Sequence, residues 1–125
     1  MTAPLPRISY LSTWGANTAL DYLLLKAFLS AHTDDPTPAG LGSTEVLGGG
    51  YQRQPLIFSA AANRAGVSAN PQVFNGMPQC IVAFLGVYSA LTGGRMIGAV
   101  SVDPPIAIAA SGQLIVPAGD IALVF

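Results

Sequence analysis

Charged side chains are scarce in this sequence. They make up 9% of 125 residues, against about a quarter in an ordinary soluble domain. The five basic residues stand singly at Arg7, Lys26, Arg53, Arg64 and Arg95, and the net charge is −1. With no basic stripe to neutralise phosphates, nucleic acid is not expected as a partner. Cys80 is the single cysteine, so no internal disulfide can form and no thiolate-rich zinc site exists. It sits in the apolar run Cys80–Leu85 and reads as a small core hydrophobe. Histidine occurs once, at His32. No uninterrupted apolar stretch reaches the ~18 residues of a membrane span, because Lys26 breaks the longest one. The opening residues lack the basic-then-apolar layout of a signal peptide.

What is abundant is apolar surface and turn chemistry. Hydrophobic residues make up 51%, with 14 glycines and 10 prolines. A surface this poor in charge suits a subunit that covers itself with copies of itself or with a larger assembly. The glycines and prolines cut the chain into short runs, which disfavours long helices. The length suits one domain over 1–125.

Residues 1–7 hold two prolines and read as an extended N-terminal arm. Residues 8–20 allow one short helix, limited by Gly15. Residues 22–32 fit a helix by propensity and a strand by alternation. Residues 33–43 are loop. Thr44–Leu47 reads as a short edge strand, and Tyr51–Ala60 as an alternating strand marked by Pro55 as an edge or bulge. Residues 63–72 read as a loop or short irregular strand. Ile81–Ser89 is β-branched and aromatic, a central strand. Ala90–Gly94 is a hairpin turn, with Gly93 and Gly94 supplying positive φ. Arg95–Val102 returns, Asp103-Pro104-Pro105 breaks, and Ile106–Ala110, Gln113–Val116 and Ile121–Phe125 complete the series. Short strands at this spacing predict an all-β, antiparallel β-sandwich or jelly-roll-like domain with at most one short helix near the N-terminus.

Motifs that carry chemistry are few. His32 precedes Asp34 and Asp35, but aspartates beside prolines typically bond their own turns. No G-x-S-x-G nucleophile elbow occurs. Gly48-Gly49-Gly50 lacks the Lys-Ser/Thr pair and helix that a phosphate loop requires; the three glycines read as a structural turn feeding a strand. Neither a catalytic residue nor a metal or cofactor site is expected, and the chain reads as a non-enzyme. Trp14, Tyr51 and Arg53 are the candidates for an assembly contact, since Trp, Tyr and Arg are enriched at interfaces. Arg53, between Gln52 and Gln54 on an alternating strand, is expected to be exposed.

One set of segments resembles a known family. His32-Thr33-Asp34-Asp35-Pro36, then Thr44-Glu45-Val46-Leu47-Gly48-Gly49-Gly50-Tyr51-Gln52-Arg53-Gln54, then Phe84-Leu85-Gly86-Val87-Tyr88-Ser89-Ala90-Leu91-Thr92-Gly93-Gly94 and Val116-Pro117-Ala118-Gly119-Asp120 together resemble small virion proteins of tailed bacteriophages. Members are labelled head-decoration or tail-fibre proteins. The resemblance covers about residues 22–125, and the block from Glu45 to Gln54 is its most specific part. It departs from the family in having three glycines before Tyr51 and in the stretch Met77–Ala83. The resemblance implies a strand at Tyr22–His32 and a structural role in the virion without catalysis. The expected function is capsid decoration or cementing: an oligomer, for instance a trimer, that binds the major capsid protein and stabilises the head lattice. The alternative is a tail, neck or tail-fibre component bound to tail or neck proteins. A remote alternative is a carbohydrate-binding sandwich using Glu45 near Tyr51.

Overall fold

The computed structural model describes residues 12–37 and 44–124. The expected arm at 1–7 lies outside them. The fold is all-β and sandwich-like, with one short helix ahead of the strands.

Helix α1 spans Thr13–Leu23. Ser12 caps it, its hydroxyl accepting from the Gly15 N–H at 3.0 Å, which satisfies one of the free amides of the first turn. Gly15 therefore falls in that first turn and does not interrupt the helix. Ala16 and Leu20 face inward and are buried. Leu24 ends the helix with φ −98° and ψ 9°.

Strand β1 spans Ala27–His32. The expected strand over Tyr22–His32 is thus corrected: its first residues belong to the last helical turn. Both periods fit Tyr22–Leu25, and the helix prevails because Leu20 and Leu24, one turn apart, both enter the core.

The remaining strands are β2 (Gln54–Leu56), β3 (Ala65–Val67), β4 (Gln72–Met77), β5 (Cys80–Tyr88), β6 (Met96–Ile108), β7 (Gly112–Val116) and β8 (Ala122–Val124). All pairings are antiparallel. One sheet runs β2-β1-β5-β6, and the pairs β3-β8 and β4-β7 form two smaller sheets. β5 is central, paired to β1 on one side and β6 on the other. Leu29, Ala31, Leu85 and Val87 from the large sheet meet Phe74, Met77, Leu114, Val116 and Ile121 in the apolar core.

Further differences from the sequence reading concern the strands. Asp103-Pro104-Pro105 does not break the chain into two strands. Val82 faces Ile106 and Phe84 faces Ser101, so residues 102–105 bulge opposite Ala83 within one strand. β6 is an edge strand, where a proline's missing N–H is tolerated. β4 lies where the sequence reading assigns no strand beyond residue 72, and inside it Gly76 takes φ 61° beside an irregular register step. Thr44–Leu47 contributes only a bridge between Glu45 and His32, and the strand expected over Tyr51–Ala60 shrinks to Gln54–Leu56.

β1 is buried on both faces. Leu29 and Ala31 point into the apolar core, while Ser30 and His32 on the other face are also fully buried. Something must cover that polar face, and the segment around the three glycines does.

Candidate functional site

The cover is built from residues 44–53 and the β5–β6 turn. Gly48 and Gly49 take φ 101° and 55°, left-handed backbone that costs glycine no Cβ clash. A Cβ on Gly49 would lie 2.6 Å from the Gly76 carbonyl oxygen and 3.0 Å from the Pro78 nitrogen. The Gly50 N–H donates to the Gly76 carbonyl at 2.7 Å. The glycines thus let the loop lie directly on the backbone at the end of β4. This reversal aims Glu45, Tyr51 and Arg53 at the face of β1.

Tyr51 joins the layers. Its hydroxyl donates to Glu45 Oε2 at 2.6 Å and accepts from the Ala31 N–H at 3.0 Å. Its ring stacks on the Phe74 ring with centroids 5.8 Å apart. Burial, and the hydrogen bond to Glu45, push its phenol far above the ordinary range.

Arg53 is the hub. Its Nε and Nη2 donate to Glu45 Oε2 and Oε1 at 2.9 and 3.0 Å. Its Nη1 donates to the Ala90 and Gly93 carbonyls at 2.9 and 2.7 Å. The guanidinium carbon lies 3.8 Å from the centroid of the Tyr88 ring. The expected exposed Arg53 is therefore corrected: its side chain is 7% exposed, and that of Glu45 12%. The alternation around Arg53 suggests a solvated strand face, but the residue lies just before β2 and turns inward because a carboxylate, two carbonyls and an aromatic face are there to receive it.

Burial alone would raise the Glu45 carboxyl. Hydrogen bonds from Arg53 and Tyr51, with the guanidinium charge, outweigh it and hold the group below its usual value. His32 stacks on Tyr88, with centroids 6.0 Å apart. Its Nε2 is 2.7 Å from Ser30 Oγ and its Nδ1 2.8 Å from Thr44 Oγ1. Desolvation lowers its pKa, and the Glu45 charge offsets this in part. Gly86 makes room: a Cβ there would lie 2.7 Å from Ser30 Oγ and 2.9 Å from His32 Nε2.

The proposed residues divide cleanly. Tyr51, Arg53 and the Gly48–Gly50 turn converge, with Gly93 supplying a carbonyl to Arg53. Gly93 and Gly94 take φ 63° and 71° in the hairpin turn. Trp14 lies elsewhere, 77% exposed on α1. Sequence reasoning missed His32, Tyr88 and Ala90 as members of the cluster. The bridge from His32 to Glu45 and the pairing of Phe28 with Tyr88 bring them in, and neither is a short-range signal.

Chemically, the arrangement is a closed latch. Both Glu45 oxygens and all three guanidinium nitrogens have partners. It fixes a loop, a strand face and a hairpin turn to one another.

A family model described as Podophage GP4 fiber I protein gp80 matches residues 10–124. The chain belongs to this family. A gp80-type protein of this family has a structural role in the tailed-phage virion. Comparison with curated proteins finds no match to the sequence. The match to the gp80 family spans α1, strands β1–β8 and the whole latch. Among the described residues of this gp80 member, no helix is long and apolar enough to cross a membrane.

Proposed function

We propose that the protein is a non-catalytic structural component of the phage tail fibre. The observation that carries this reading is the match to a fibre I protein family over residues 10–124. The site supports it. Glu45 and His32 are the groups best placed for acid–base work, yet Glu45 is spent on Arg53 and Tyr51, and both His32 ring nitrogens are spent on hydroxyls. What remains is a rigid sandwich whose charge-poor surface suits permanent contacts within an assembly. Those contacts include copies of the same chain and neighbouring tail proteins.

Immunogold electron microscopy of purified virions tests the reading. Antibody against the recombinant protein should decorate the tail appendages. Label confined to the capsid surface would replace this reading with head decoration.

A further inference from the structure

One face of the protein lies outside the latch and carries exposed apolar groups beside unpaired cations. On α1, Trp14, Thr18 and Tyr22 recur every fourth residue and form one outward stripe. Leu25 follows just past the helix. Trp14, Tyr22 and Leu25 are each 77% exposed. The inner stripe of the same helix, Ala16 and Leu20, already fills the core. A helix apolar on both sides has one face left to cover.

Tyr22 and Leu25 line an open cleft of about 700 Å³ together with Lys26, Arg95, Met96 and Ile97. Lys26 stands at the corner between α1 and β1, and Arg95 at the base of the β5–β6 hairpin. Both are exposed. Arg53 pairs with Glu45, whereas among the described residues neither Lys26 nor Arg95 has a carboxylate partner. No acidic residue lines the cleft.

We infer that this face docks a protein segment that presents carboxylates beside apolar side chains, contributed by a virion protein of different sequence. The inference rests on the virion reading above. Two cations among aromatic and aliphatic walls match an acidic, apolar peptide; phosphate binding would call for more positive charge and less apolar wall. Residues 1–11, 38–43 and 125 contain no Asp or Glu, so those segments hold no acidic side chain for the cations. A second copy is a poor fit as well. Glu45 is closed on Arg53, Asp35 accepts twice from Thr37, and Asp21 accepts from the Ala61 N–H. Asp34 accepts from the Asp35 N–H, and Asp103 and Asp120 stand singly. The one adjacent acidic pair, Asp34 and Asp35, accepts hydrogen bonds within its own turn and is flanked in sequence by Thr33, Pro36 and Thr37, without the large apolar side chains that the cleft walls call for.

The sequence supplies its own probe, because Lys26 is its only lysine. Intact virions would be treated with a water-soluble carbodiimide, which joins an amine to a carboxylate in contact with it, and digested for peptide mass spectrometry. The expected result is Lys26 joined to an Asp or Glu of another virion protein, with loss of Lys26 acetylation by an N-hydroxysuccinimide ester relative to the free protein. Equal acetylation in virion and free protein overturns the inference, as does a Lys26 crosslink to any Asp or Glu of a second copy. The double charge reversal Lys26→Glu/Arg95→Glu should fold, since both side chains are exposed, and should lose incorporation into particles. Lys26→Arg/Arg95→Lys should retain it. Normal incorporation of the reversal variant also overturns the inference. Absence of the wild-type chain from purified virions would instead count against the virion reading itself.

Discussion

Arg53 grips Glu45 through two nitrogens while a third nitrogen holds the Ala90 and Gly93 carbonyls. One side chain thereby ties the glycine-rich loop to the hairpin turn across 40 residues of sequence. Paired charges in so enclosed a place are costly to separate.

Glu45→Gln leaves the Arg53 charge buried without its counter-ion. Breaking a buried pair in this way costs about 3–5 kcal/mol. Arg53→Met strands Glu45 and should cost a similar amount. The double variant Glu45→Gln/Arg53→Met should be less destabilised than the two single effects added, because it leaves no lone charge. Urea unfolding of the isolated protein measures all three. Wild-type midpoints for both single variants would show that the latch adds nothing to the fold and would return Arg53 to the set of assembly contacts.

Acid should loosen the latch in two stages. His32 has its folded pKa lowered below 6.5, chiefly by burial. The unfolded chain then binds the proton first, so stability is full above pH 6.5 and falls as pH drops below it. Against burial, the hydrogen bonds from Arg53 and Tyr51 hold Glu45 below the ordinary glutamate value of 4.5. Its contribution is full above pH 4.5 and is lost as pH falls through the lower folded value. Thermal melts across this range should show a decline beginning below pH 6.5 and a steeper one below 4.5. His32→Gln should remove the first decline and Glu45→Gln the second. A melting temperature independent of pH down to 4 would contradict the assignment.

Glycine positions separate into tolerant and intolerant. Gly93 has φ 63° with nothing within 4 Å of a built Cβ, so Gly93→Asn should be nearly neutral, since Asn enters this region readily. Gly49 has a similar φ but meets the Gly76 carbonyl oxygen at 2.6 Å. Gly49→Asn and Gly49→Val should both impair folding or soluble yield, with Val the worse. Equal yields for Gly93→Asn and Gly49→Val would show the loop to be dispensable.

Gly86→Ala probes the buried polar face directly. The new methyl would contact Ser30 Oγ and His32 Nε2 closer than 3.0 Å and push the ring off its hydroxyl partners. Overpacking of this kind typically costs about 1–3 kcal/mol. A Ser30→Ala partner substitution removes the nearer contact and should recover part of the loss. No recovery would place the strain elsewhere.

How much of this was legible in the sequence follows the range of the physics involved. β5 and its turn were plain, because β-branched residues and Gly93-Gly94 are local signals and the hairpin closes on itself, with the Ser89 N–H donating to the Arg95 carbonyl at 2.9 Å. Leu20 and Leu24 decided the helix only by reaching the core, so Tyr22–Leu25 stayed open between two periods. Asp103-Pro104-Pro105 carried every local mark of a break, yet an edge strand absorbs it as a bulge. The latch was half visible. Glu45, Tyr51 and Arg53 stood in one specific block, but the inward turn of Arg53 depends on carbonyls and a tyrosine about 35 to 40 positions away, where local patterning has no reach.

The proposed place of this protein is the tail fibre, as a non-catalytic structural sandwich. Quantitative mass spectrometry of purified virions, scaled to the major capsid protein, tests it most directly. The account predicts a copy number on the scale of the tail appendages. A copy number on the scale of the capsid subunits would contradict it and identify the protein as a head-lattice component.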